Sequence, residues 1–262
     1  MGLSKPFYRI TRPGVFIPSY VMDKRYAPDR LQLSRAYISI EKDLRSIFDY
    51  IEPDDQNINA FSFELFSLLL RACTEVELNC KEIMVANGAV PEGRHFTMKD
   101  YKKLEKATLL SKYKAAFRNW RRKQSDSKVV YEEKLFQPFI NFGLSPQKSP
   151  DWYDAYNQVK HNREENLEKA SLENCMNAVA GILILLYLQF GSQWIATSKT
   201  GDFLIQKEDE DADDSLFQPD ALFVVYTPLK SDWKASQLYD FQWNNLKKEE
   251  NPFARFFEEE LS

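Results

Sequence analysis

Asp151–Phe190, DWYDAYNQVKHNREENLEKASLENCMNAVAGILILLYLQF, starts as an aromatic and polar helix and ends as an almost wholly apolar one. At 3.6 residues per turn, Tyr153, Asn157, Lys160, His161 and Glu164 share one face, and Trp152, Tyr156 and Val159 the opposite, buried one. Arg163 falls on the buried side of an unbroken helix. Asn162 and Asn166 are poor helix formers, so a turn soon after His161 would free Arg163 to swing toward the polar face. From Ile182 onward the pattern is apolar nearly all round, as expected of a central helix.

Working outward, Leu33, Tyr37, Ile40, Leu44, Ile47 and Ile51 recur at spacings of three and four between Pro28 and Pro53, which predicts a helix over 29–51. A second helix is predicted over 59–86, closed by Asn87-Gly88. Its buried stripe includes Phe66, Leu69, Cys73, Val76, Cys80 and Ile83, and Glu77 falls on that stripe. A carboxylate there either lies exposed at the stripe's edge or finds a cationic partner from the Asp151 segment, because burying it unpaired costs several kcal/mol. Glu41, on the flank of the first helix, poses the same question.

Met98 to Lys106 reads as a short helix. Residues 109–123 are ambiguous: Leu109, Tyr113, Phe117 and Trp120 fit a helix face, while Tyr113, Ala115 and Phe117 alternate as in a strand. A polar turn separates this stretch from 129–140, which predicts a hairpin of the two. Arg118, Arg121, Arg122 and Lys123 stand among Tyr113, Phe117 and Trp120, which suits either a phosphate backbone with stacking bases or a solvated sheet edge.

Residues 1–28, broken by Pro6, Pro13 and Pro18, read as an extended arm. Residues 191–262 read as an α/β extension: a strand over 202–206, an acidic loop over 207–214, a clear strand at ALFVVYT (221–227), a segment over 238–243 that could pair with it, and a final short helix carrying Phe253, Phe256 and Phe257. The expected fold is therefore mainly α: an antiparallel helical bundle over 29–190, with a small β-hairpin insertion at about 107–150 and short C-terminal strands.

Composition narrows the function classes. A net charge of -4 argues against a coat of basic surface for nonspecific nucleic-acid binding, though not against a local basic patch. The three cysteines, Cys73, Cys80 and Cys175, form no CxxC pair and read as reduced core thiols of a cytoplasmic protein; Cys73 and Cys80 could share a face with a metal, but no histidine stands beside them. No secretion signal is legible, and the apolar run 178–190 is shorter than the ~20 residues of a membrane span. Eight glycines form no phosphate-cradling loop, and no two-histidine metal helix or nucleophile elbow occurs. No cofactor, metal or membrane contact is expected.

The run WYDAYNQVKHNR, preceded by two long amphipathic helices and followed by an apolar one, resembles the HEPN superfamily of prokaryotic helical proteins over about residues 29–190. Many members are metal-independent endoribonucleases of toxin and antiviral systems that act as dimers; others are noncatalytic. The family's catalytic signature is an arginine followed a few residues later by a histidine. Here the order is inverted, His161-Asn162-Arg163, and the other histidine, His95, directly follows Arg94.

The resemblance therefore implies His161 and Arg163 as candidate catalytic residues, with Asn157, Lys160, Glu77 and Glu41 as a supporting polar face. RNA cleavage by its own 2′-hydroxyl needs a base, an acid and cations, and imidazole and guanidinium suit those roles. One histidine cannot easily be both base and acid, which is why a homodimer and RNA are the expected partners. The alternative is a noncatalytic helical interaction module that binds a protein partner or nucleotide, in which His161 and Asn157 cross-link helices and Lys160 and Arg163 pair with Glu77 or Glu41.

Overall fold

The computed structural model describes residues 2–15, 19–124, 127–192 and 221–259. The strand expected over 202–206 and the acidic loop over 207–214 lie outside these. The long helices are α1 (Arg30–Ile47), α2 (Phe63–Ala86), α5 (Asp151–His161) and α7 (Leu172–Phe190), with short α3 (Met98–Tyr101), α4 (Leu104–Thr108) and α6 (Arg163–Asn166) between them and α8 (Trp243–Leu246) and α9 (Phe256–Glu259) near the end. The strands are β1 (Lys114–Lys123), β2 (Val129–Phe136) and β3 (Phe223–Tyr226).

A mainly helical bundle is the wrong description. The chain is mixed α/β, because the hairpin is no appendage: β1 is the middle strand of a three-stranded antiparallel sheet in the order β2-β1-β3. The C-terminal segment supplies β3, whose Val225 pairs with Ala115 and whose Phe223 pairs with Phe117. Helix α7 packs against all three strands as well as α1, α2 and α5. Its all-round apolar pattern has a different cause from the one expected: it runs between a helical layer and a sheet, so only Glu173, Asn174, Asn177 and Tyr187 escape full burial. Leu172–Phe190 is also long and apolar enough, by length and composition, to cross a membrane; most of it is buried by the rest of the chain.

The helix-like spacing in β1 comes from a bulge. Between Phe117↔Lys134 and Trp120↔Glu132 the register shifts by one residue, so Phe117 and Trp120, three apart, both turn to the core, their rings 6.0 Å apart. Beyond the end of β3 the freed side of β1 is met by the α1–α2 loop, where the Arg121 amide donates to the Pro53 carbonyl at 2.8 Å.

The segment 238–243 does not pair with β3; Tyr239 instead bridges Leu3 of the N-terminal arm. The Tyr239 hydroxyl donates to the Ile10 carbonyl at 2.7 Å and accepts from the Phe7 amide at 3.0 Å. Arg9, buried, reaches Asp29 and donates to Gln189 at 3.1 Å, and Gln189 donates to Asn79 at 2.7 Å. Arm and C-terminal segment thus close over one end of the same core. Helix α1 ends four residues short of expectation, and the helix expected over 98–106 is split into α3 and α4.

Candidate functional site

Pairing between the residues before α2 and the start of α7 sets the site. The Leu172 amide donates to the Ala60 carbonyl at 2.8 Å, the Glu173 amide to Ile58 at 2.9 Å, and Phe61 bridges Ser171. Ser62 then caps α2 by accepting from the Leu65 amide at 3.1 Å, and Ser171 caps α7 by accepting from the Asn174 amide at 3.3 Å. The pairing sets the starts of α2 and α7 side by side, and the first turns of α2 meet the α5–α6 turn at Arg163.

Helix α5 stops at His161 because Asn162 leaves helical geometry, with φ -145° and ψ 84°. Its amide still donates to Gln158 at 3.0 Å, while its side chain donates to Glu165 at 2.8 Å and its carbonyl accepts from the Asn166 side chain at 2.8 Å. The break turns Arg163 out of the core. Its guanidinium lies 5.4 Å from the centre of the Phe63 ring and 5.6 Å from that of Phe66. Arg163 and His161 are both exposed, and neither pairs with a carboxylate among the described residues. A guanidinium on an aromatic face keeps its in-plane N–H donors for a ligand.

Lys160, also exposed, donates to the Tyr156 hydroxyl at 2.9 Å and sits 4.9 Å from the centre of that ring. This hydrogen bond holds its ammonium above the usual lysine range. Asn157 is half-buried on the same helix. Glu77 is half-buried and does find a partner on α5, but a phenol instead of a cation: the Tyr153 hydroxyl donates to it at 2.6 Å. Burial, and then this bond to a carboxylate, push the Tyr153 hydroxyl well above the usual tyrosine range. Glu41 belongs elsewhere, accepting from Arg45 at 3.3 Å and from the Leu222 amide at 3.2 Å at the entry to β3.

The basic strand turns its aromatic side chains inward. Tyr113, Phe117 and Trp120 are 4%, 2% and 0% exposed, so no base can stack on them. Arg121 pairs with Asp54, Arg122 with Glu132 at 2.6 Å and Asp55 at 3.4 Å; Arg118 is half-buried and Lys123 exposed. Asp55 is also bonded by Lys134 at 2.6 Å and by the Trp120 indole at 3.0 Å, and its carboxyl is held below the usual range chiefly by Lys134.

The chain matches no known family model, curated protein or solved structure. The structure brings together Lys160, His161 and Arg163 on one exposed turn, sets Glu77 beneath α5, and keeps Glu41 and the β1 cations apart from them. Sequence reasoning set Phe66 on the buried stripe of α2, did not single out Phe63, and missed that both rings meet Arg163. Their signal is FSFELF, three aromatics in six residues around a helix cap, with Phe61 and Phe63 51% and 60% exposed. Among the described residues no cluster of histidine, cysteine and carboxylate side chains could hold a metal ion, and all three cysteines are free and buried.

Proposed function

We propose that the chain is an RNA-binding protein that engages the phosphodiester backbone at the α5–α6 turn and, as a homodimer, cleaves it without a metal ion in a prokaryotic toxin or defence system, in the manner of HEPN endoribonucleases. The observation that carries this reading is the Arg163 guanidinium, stacked on Phe63 and Phe66 and free of any carboxylate among the described residues, two positions from an exposed histidine. It rests on this turn and not on the fold.

In the reaction, one imidazole takes the proton of the 2′-hydroxyl, O2′ attacks phosphorus, and the P–O5′ bond breaks as a second imidazole protonates O5′. The products are a 2′,3′-cyclic phosphate and a 5′-hydroxyl end. His161 of each copy fills one of these roles, while Arg163 and Lys160 balance the charge of the phosphorane. End-labelled RNA incubated with the protein in EDTA tests this: the parent cleaves and His161→Ala does not. Equal cleavage by His161→Ala would remove the histidine from the chemistry.

The exposed Phe61 and Phe63 rings favour a second reading, a noncatalytic module that holds a protein partner or nucleotide at the same turn. In that case the parent leaves RNA intact in the same assay.

A further inference from the structure

The first two turns of α2 have a second surface. Phe63 and Phe66 face Arg163, but Glu64 turns about 100° away from Phe63 and lines a cleft of about 540 Å³ between α1 and α2. That volume is in the range of small-molecule sites, and a groove between packed helices is a usual place for one. None of the residues of the α5–α6 turn lines it.

The lining has a definite chemistry. Ile47, Ile51 and Leu68 form an apolar floor, with Ile47 and Leu68 buried, and Tyr50, 89% exposed, also lines the cleft. The cleft's cation, Arg71, is already matched: it pairs with Asp43 and donates to Ser39 at 3.2 Å. Glu64, exposed in the first turn of α2, has no cationic partner among the described residues. An anion would meet Glu64 with no unmatched cation among the described lining residues to receive it. A neutral apolar molecule would leave the carboxylate unused. A divalent metal would find one unpaired carboxylate, too few ligands for it.

We infer that the α1–α2 cleft binds a small organic monocation, an ammonium on an apolar or aromatic body, with the ammonium on Glu64 and the body between Tyr50 and the floor of Ile47, Ile51 and Leu68. A ring or alkyl chain recovers apolar contact there, and the Tyr50 face attracts a cation.

Isothermal titration calorimetry with phenethylammonium tests the assignment, with 2-phenylethanol as the neutral analogue of similar shape. The amine binds the parent saturably, the alcohol binds about tenfold more weakly, and Glu64→Gln lowers the amine's affinity by about the same factor. Tyr50→Ala, at an exposed position that does not endanger folding, also weakens the amine. Amide chemical shifts move along residues 43–51 and 62–71. Equal affinity for amine and alcohol, an unaffected Glu64→Gln variant, shifts confined to other parts of the chain, or no saturation at millimolar amine would each overturn it.

Discussion

The Tyr153 hydroxyl donates to the Glu77 carboxylate at 2.6 Å, and this bond fastens α5 to α2 one helical stretch before the turn that carries His161 and Arg163. Tyr153→Phe keeps the ring but leaves a half-buried carboxylate unpaired, so it should destabilise the fold by about 1–3 kcal/mol. Glu77→Gln, added in a double-mutant cycle, should recover part of that loss in urea unfolding. A cycle with no coupling would mean that the two side chains do not interact in solution.

The same pair gives a pH dependence. The folded phenol titrates above its unfolded value, so its contribution is fully present below the ordinary tyrosine value of about 10 and is lost as pH rises through the raised one. The stability gap between parent and Tyr153→Phe should therefore hold through neutral pH and narrow in alkali. Urea midpoints across pH 7 to 11 check it, and a gap that widened in alkali would contradict the assignment.

On the acid side, the buried Asp100 carboxylate accepts from the amides of Glu92 at 3.2 Å and Thr97 at 3.0 Å, and from Lys103 at 3.4 Å. Burial alone would raise its pKa, but these donors together hold it below the ordinary value. A lowered folded value means stability present above the unfolded pKa and lost as pH falls through the folded one. Asp100→Asn should cost about 1–2 kcal/mol at neutral pH, with the difference from the parent shrinking below about pH 4. Thermal melts at pH 7 and pH 3 measure it.

Neutralising the basic strand gives a negative control. With Arg121 and Arg122 in ion pairs and the neighbouring rings buried, the triple variant Arg121→Gln, Arg122→Gln, Lys123→Gln should keep parental RNA affinity while losing some stability through Asp54 and Asp55. Filter binding would show the contrary as a clear drop in affinity and salt dependence.

How much of this was legible in the sequence depends on what each residue's pattern could report. The four long helices follow from apolar spacing, and the break after His161 from Asn162, because those signals are local. The hairpin of β1 and β2 was legible from its polar turn, even though the bulge at Arg118-Asn119 gives Phe117 and Trp120 a helical spacing inside a strand; the third strand's place was not, because β3 reaches β1 from far along the chain, a pairing that no local pattern reports. An all-round apolar helix such as α7 states that it is covered, but not whether by helices or by strands. At the site, His161, Lys160 and Arg163 were visible as residue types. The Arg163–Phe63 contact was not, since it joins segments a hundred residues apart.

The most direct test of the central claim is the salt dependence of RNA binding, followed by fluorescence anisotropy with a labelled single strand. If Arg163 and Lys160 each meet a phosphate, replacing both by alanine should lower affinity and reduce the slope of log affinity against log salt by about 1.4, with an unchanged thermal melt. Parental affinity and an unchanged slope in the folded double variant would contradict the placement of RNA at the α5–α6 turn.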